Sequence, residues 1–177
     1  MLFFLVADVL SAGVRGPVSR EIGKGDKKQA NAILRAGVLA GLTASLVILV
    51  LGFTLSNPIT VLLGATDRSS ALYQGTLAYL RGFMIGVPGL MLIKLLMPLL
   101  PLDSDIKRTG AVTAVMAIVD IAMDAVNVFW VKGGMFGMSL ASSISFYAAL
   151  CVLLPHFFSK RANLRWERFF ISASPPG

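Results

Sequence analysis

Long apolar segments separated by short polar connections dominate the sequence and predict membrane-spanning helices. A helix needs about 20 residues to cross a bilayer, and every segment except the first, of about 14 residues, reaches that length. The predicted helices occupy residues 1–14, 36–56, 72–100, 109–131 and 135–158. The pattern therefore predicts an all-α, polytopic membrane helix bundle with about five transmembrane helices.

The fourth apolar segment carries two carboxylates, which are rare inside a bilayer. At about 100° per residue on a helix, four polar side chains of this segment fall within an arc of about 60°. They are Thr113, Asp120, Asp124 and Asn127. An ionised group at the bilayer centre costs at least about 2.5 kcal/mol, so such side chains usually face a bundle interior or a wet cavity. This polar stripe indicates a helix of an ion-coupled transporter.

Two residues of the third apolar segment each allow two interpretations. Pro88 removes a helical hydrogen bond and is expected to kink the helix, which makes it either a hinge or a static kink. Lys94 either extends to the membrane interface or pairs with an intramembrane carboxylate such as Asp124. Asp8, in the first apolar segment, is not counted as a site.

Composition agrees with a membrane protein and argues against other classes. The chain is 56% hydrophobic and 14% charged, with a mean hydropathy of +0.78, whereas soluble domains are about 25% charged. Its net charge of +7 comes from basic residues between apolar segments, not among exposed aromatic residues, so no nucleic-acid partner is predicted. The single Cys151 provides neither a disulfide nor a zinc-binding pair.

The distribution of basic residues predicts an orientation. Most Lys and Arg residues lie in the first, third and last polar segments, whereas the other two contain only Arg68 and Lys132. Because basic residues favour the cytoplasmic side, we expect a multi-pass protein of the cell membrane with its C-terminal tail in the cytoplasm.

Four separated segments resemble the multidrug and toxic compound extrusion (MATE) family in sequence, order and spacing. They are VSREIGKGDKKQAN (18–31), AYLRGFMIGVPGLML (78–92), DIAMDAVNVFWV (120–131) and GMFGMSLASSISFY (134–147). Members of this family have twelve helices in two lobes of six and export cationic, amphipathic compounds in exchange for protons or sodium ions. The resemblance implies a partial N-terminal lobe, helices two to six, over residues 1–165, followed by a divergent tail at 166–177.

The resemblance also implies roles for individual residues. Asp124 matches the cavity acid of the family, Asp120 occupies a position that is commonly Asn, and Ser142 falls where the family often has a Thr facing the same cavity. Two carboxylates one helical turn apart disfavour simultaneous ionisation. A proton or a sodium ion at Asp124 and Asp120 is therefore expected to exchange with a cationic substrate, without any other metal or cofactor.

Two other functions compete with antiport. An intramembrane aspartyl protease is disfavoured because both aspartates lie on one helix and no GxGD sequence follows a span, so no enzymatic activity is predicted. The second is a truncated, non-transporting membrane protein, or a half-transporter that needs the missing remainder or a complementing lobe. The predicted partners are therefore the lipid bilayer, small cationic amphipathic substrates and such a lobe.

Overall fold

The computed structural model describes residues 2–103, 105–158 and 164, and this part of the chain is helical without strands. Its α-helices are α1 (Leu2–Gly23), α2 (Lys27–Thr54), α3 (Ser56–Leu62), α4 (Ala71–Leu96), α5 (Ile106–Val126) and α6 (Gly134–Phe158). Short 3₁₀ turns at Met97–Leu99 and Pro101–Asp103 follow α4, and a π-helical turn at Asn127–Val131 follows α5. The predicted all-α bundle is confirmed. The predicted tail at 166–177 lies outside the described residues.

Four helical segments in the described part of the chain are long and apolar enough to cross a membrane. They are Lys27–Thr54, Ala71–Asp103, Ile106–Val131 and Gly134–Phe158. These correspond to the last four predicted helices. The first predicted helix is not among them, so the number of candidate spans is one lower than the predicted total of about five.

The first helix is longer than the predicted residues 1–14, because α1 continues through Pro17 to Gly23. Its buried positions, Ala7, Ser11, Val14 and Val18, follow helical spacing on both sides of the proline. Pro17 itself is exposed, so the hydrogen bond that it removes lies on the outer side of the helix.

Two further boundaries differ from the prediction for local reasons. The second helix begins at Lys27 rather than near residue 36, because the Asp26 side chain accepts a hydrogen bond of 3.0 Å from the Gln29 amide and caps the helix. The short helix α3 lies in the connection predicted between the second and third helices. Pro58 lies in its first turn, where backbone N–H groups have no acceptor within the helix, so a residue without an N–H group is tolerated there.

The helices pack closely where small residues face a neighbour. Helix α4 lies between α6 on one side and α1 and α2 on the other, whereas α5 packs mainly against α6. A Cβ added at Gly86 would lie 2.6 Å from Ser143 Oγ, and one added at Gly82 would lie 2.9 Å from the Phe136 carbonyl. Such close approach is the usual means of helix association in membranes.

A buried apolar cluster joins one end of the bundle. It contains side chains of α1, α2, α4, α5 and α6 together with the 3₁₀ turn after α4. Leu34, Leu96, Leu99, Leu153 and Phe157 are among its members and are almost completely buried. This cluster fixes the end of α6 against the turn that leads into α5.

Candidate functional site

The predicted polar stripe lies on α5, the helix that packs mainly against α6. Asp120 and Asp124 are half-buried, one helical turn apart. The Oδ1 atom of each carboxylate is buried and has no hydrogen-bond partner in the described part of the chain. A carboxylate oxygen that is removed from solvent without a donor is costly unless a proton or a cation compensates it. These two oxygens are therefore the strongest candidates for an ion-binding site.

The other two stripe residues make contacts of different kinds. Thr113 is exposed, and its hydroxyl donates to the Thr109 carbonyl of the preceding turn at 3.1 Å. Asn127 is buried, and its side-chain amide donates to the Gly134 carbonyl at 3.1 Å while its Oδ1 accepts from the Gly133 amide at 3.0 Å. The structure thus places Asn127 in the closure of the α5–α6 turn. A role in ion coupling for either residue stays a prediction.

The turn that Asn127 closes depends on unusual backbone conformations. Lys132 has a φ of 52° and Gly134 a φ of 57°, both in the left-handed region that favours glycine. Gly137 packs directly on the Asn127 amide, so that an added Cβ would overlap it. The π-helical turn places Asn127 beneath this loop, at the end of the span that carries the two aspartates.

Ser142 and Pro88 lie on the two helices that pack most closely. Ser142 is half-buried on α6, and its carbonyl accepts a hydrogen bond from the Ser145 hydroxyl at 2.8 Å. Pro88 lies within α4, which is assigned as one continuous helix. In the turn before it, the Ile85 carbonyl accepts a bond of 2.8 Å from the Tyr147 hydroxyl of α6. Hinge motion at Pro88 and a cavity role for Ser142 stay predictions.

Of the two interpretations of Lys94, the structure shows pairing with a carboxylate, and the partner is Asp8, not Asp124, which was given as an example. Its Nζ lies 2.8 Å from Asp8 Oδ1 on α1, and it also lies 5.5 Å from the centre of the Phe4 ring. The Ser11 hydroxyl donates to the Lys94 carbonyl at 2.8 Å. The sequence analysis considered Asp8 and did not count it as a site, although a carboxylate in an apolar segment is the same signal that identified Asp120.

The electrostatic character of these sites differs. The Asp8–Lys94 pair carries no net charge when both groups are ionised, whereas Asp120 and Asp124 are two acids without a basic partner among the recorded ion pairs of the described residues. The described part of the chain contains no group of three or more His, Cys, Asp or Glu residues arranged to hold a metal ion. Two neighbouring carboxylates of this kind can accept a proton or bind a cation.

Comparisons with known proteins agree with this architecture. The chain superposes with a TM-score of 0.80 and 18% identity on a solved structure described as the inward-facing conformation of a multidrug resistance MATE family transporter of the MOP superfamily. The match covers 98% of this chain but only 39% of the solved transporter. At this identity the likeness shows the fold alone. No curated protein matches the sequence.

The family assignment comes from a different comparison. The family model described as lipid II flippase MurJ matches residues 10–172. The predicted relationship to MATE-type transporters is thus confirmed at the level of the MOP superfamily, to which both matches belong. Both matched groups are membrane transporters or flippases, and the candidate spans fit a multi-pass membrane protein in contact with the lipid bilayer. Since the family model covers most of the sequence, the chain belongs to the MurJ lipid II flippase family of the MOP superfamily.

Proposed function

We propose that the chain forms the ion-coupling lobe of a secondary active antiporter that exports cationic or amphipathic compounds in exchange for protons or sodium ions. The observation that carries this proposal is the pair of buried oxygens, Asp120 Oδ1 and Asp124 Oδ1, that have no hydrogen-bond partner in the described residues. Carboxylates in such surroundings gain most from a bound proton or cation.

The mechanism follows from the spacing of the two acids. Because Asp120 and Asp124 are one turn apart, ionisation of both at once is disfavoured, and the pair favours at least one neutralising proton or cation. A cationic substrate competes for the same negative charge. Its binding releases the proton or sodium ion, and rebinding of that ion releases the substrate. Each ligand thereby drives the exit of the other, which is the essential step of antiport.

A second function, movement of a lipid across the bilayer, is favoured by the family match over residues 10–172. A flippase for an anionic headgroup requires a cation that is free to bind it. Lys94, one of the two basic residues of α4, is engaged by Asp8 at 2.8 Å, whereas Arg81 of the same helix is exposed. The proposal of a cationic substrate therefore rests on the two acids of α5 and not on a lack of basic residues in the spans.

A third interpretation is a non-transporting chain or a half-transporter that works only with a partner. The chain spans 39% of the length of the solved transporter that it matches. The proposed antiporter therefore includes a complementing lobe.

We propose in addition that the antiporter lies in the cell membrane with the C-terminal tail of this chain in the cytoplasm, because the distribution of Lys and Arg favours this orientation.

The discriminating experiment uses proteoliposomes with two assays. The first follows uptake of a fluorescent organic cation driven by a proton gradient or a sodium gradient, and the second follows transfer of a fluorescent lipid between leaflets. Ion-driven cation movement that is lost in Asp124→Asn supports the antiporter. Lipid transfer that is unaffected by Asp124→Asn supports the flippase and contradicts the antiporter. Activity in neither assay, with the chain alone or with an added complementing lobe, supports the non-transporting interpretation.

A further inference from the structure

A buried histidine joins two carboxylates at the end of the bundle, away from the α5 stripe. His156, near the end of α6, is the single histidine of the sequence. Its Nε2 lies 2.9 Å from Asp103 Oδ2, and its Nδ1 lies 2.9 Å from Asp105 Oδ2. The side chains of His156 and Asp103 are only 7% and 1% exposed. The imidazole therefore bridges α6 to the segment that connects α4 with α5.

The geometry determines which protonation state the bridge needs. A carboxylate oxygen accepts hydrogen bonds and does not donate them, so both ring nitrogens must donate if both contacts are hydrogen bonds. Only the cationic imidazolium has two donors. In the neutral ring, one nitrogen presents a lone pair to a carboxylate, and one of the two contacts becomes repulsive.

One of the two carboxylates also has a second basic partner. Asp105 Oδ2 accepts a hydrogen bond of 2.9 Å from Arg108 Nε, and Arg108 Nη1 donates to the Val152 carbonyl of α6 at 3.0 Å. Asp103 Oδ2 accepts a further hydrogen bond from the Leu164 amide at 3.5 Å. Within the described part of the chain, the charged side chains beside the ring are those of Asp103, Asp105 and Arg108.

The neighbouring side chains hold the ring in this position. Phe157 contacts it edge to face at 5.3 Å between ring centres, and Phe157 itself belongs to the buried apolar cluster. The Asp105 side chain is fixed from the other side as the N-terminal cap of α5, where it accepts from the Arg108 amide at 3.3 Å. Phe157 thus fixes the ring at the end of α6, and Asp105 fixes its partner carboxylate at the start of α5.

We propose that Asp103, Asp105 and His156 form a proton-binding latch that holds the start of α5 against the end of α6. With a proton on each ring nitrogen, the latch is closed. Loss of one proton leaves a buried carboxylate facing a lone pair, and the α4–α5 connection separates from α6. This proposal does not depend on the identity of the transported substrate.

The test measures the distance between the two helix ends in the full chain in detergent micelles. Cys151 is the single cysteine and is exposed on α6, so a spin label on it and one on Lys107→Cys report the separation of α6 from the start of α5. We expect a narrow distance distribution at pH 5.5 and a broader one, shifted to longer distances, at pH 8.5. A distribution that is the same at both pH values overturns the proposal.

Two variants separate the latch from general pH effects. In His156→Gln, the amide donates to only one carboxylate, so the broad distribution is expected at both pH values. In Asp103→Asn, the amide can donate to the neutral ring, so the narrow distribution is expected at both. The state of the ring is read independently by ¹⁵N NMR of histidine-labelled protein, because the chain has one histidine. Two protonated nitrogens at pH 5.5 and one at pH 8.5 are required, and a singly protonated ring at pH 5.5 contradicts the latch.

Discussion

Lys94 of α4 and Asp8 of α1, which lie 86 positions apart in the sequence, form an ion pair of 2.8 Å. The pair joins two helices that also meet through the Ser11 hydroxyl and the Lys94 carbonyl. Lys94 is thus neutralised by α1, whereas the two acids of α5, Asp120 and Asp124, have no basic partner among the ion pairs of the described residues. The division between a paired charge on α4 and unpaired charges on α5 underlies the proposed cation selectivity.

The Asp8–Lys94 pair predicts a specific pattern of stability changes. Removing one partner leaves a charge without its counter-ion, whereas removing both leaves no charge. Asp8→Asn should therefore lower the thermal unfolding midpoint in detergent more than the double variant Asp8→Asn/Lys94→Gln. The coupling energy expected for a partly exposed pair is about 0.5–1 kcal/mol. Strictly additive effects of the two substitutions would show that the pair contributes nothing.

The close contact of Gly137 with Asn127 predicts a sensitive position at the α5–α6 turn. An added methyl group would displace the Asn127 amide and break its hydrogen bonds to Gly133 and Gly134. We expect Gly137→Ala to destabilise the fold by about 1–3 kcal/mol. Gly110→Ala is the control, because an added Cβ there has no neighbour within 4 Å and alanine favours the helix. Equal unfolding midpoints for the two variants would contradict the prediction.

The hydrogen bond from Tyr147 to Ile85 predicts that α6 braces α4 beside Pro88. Tyr147→Phe removes this bond of 2.8 Å and is expected to cost about 0.5–1.5 kcal/mol. Amide hydrogen exchange in α4 should become faster in the turns around Pro88. Tyr79→Phe is the matched control. Tyr79 lies on α4 itself, and it contacts Phe83 through its ring and not through its hydroxyl group. If both variants exchange alike, the hydroxyl of Tyr147 does not restrain the kink.

The contacts of Asp105 predict a loss of stability in acid. Burial raises the pKa of Asp105, but hydrogen bonds from Arg108 and His156 outweigh it and leave the pKa below its usual value. A carboxyl group with a lower pKa in the folded state stabilises the fold above the unfolded-state value of about 3.9, and this contribution disappears as the pH falls below it. The unfolding midpoint should therefore decrease below about pH 4 more steeply in the natural chain than in Asp105→Asn. Parallel pH profiles would contradict this account.

The sequence analysis predicted local features well because helix periodicity depends on neighbouring residues. The last four spans follow from spacing alone, and so does the position of Asp120 and Asp124 one helical turn apart. Burial on both sides of Pro17 shows the limit of local rules, since tertiary packing sustains α1 through a residue that usually ends a helix.

Contacts between distant segments were not predictable in the same way. The pairs Asp8–Lys94 and Asp103–His156 depend on how helices separated by 86 and 53 positions align, which packing between them determines. The structural role of Asn127 depends on the left-handed conformation of Lys132, which the residue type does not indicate.

The most direct test of the central claim measures competition between protons and an organic cation at Asp124. The probe is tetraphenylphosphonium, titrated calorimetrically into the purified protein at pH 6 and pH 8, with sodium or choline as the salt. If the coupling ion is a proton, the affinity of the natural chain for tetraphenylphosphonium should increase several-fold between pH 6 and pH 8, because the proton and the organic cation compete for one carboxylate. If the coupling ion is sodium, that affinity should decrease when sodium replaces choline. Asp124→Asn should abolish that dependence. Binding that is equally strong in both proteins and independent of pH and sodium would contradict the proposed ion-coupled site.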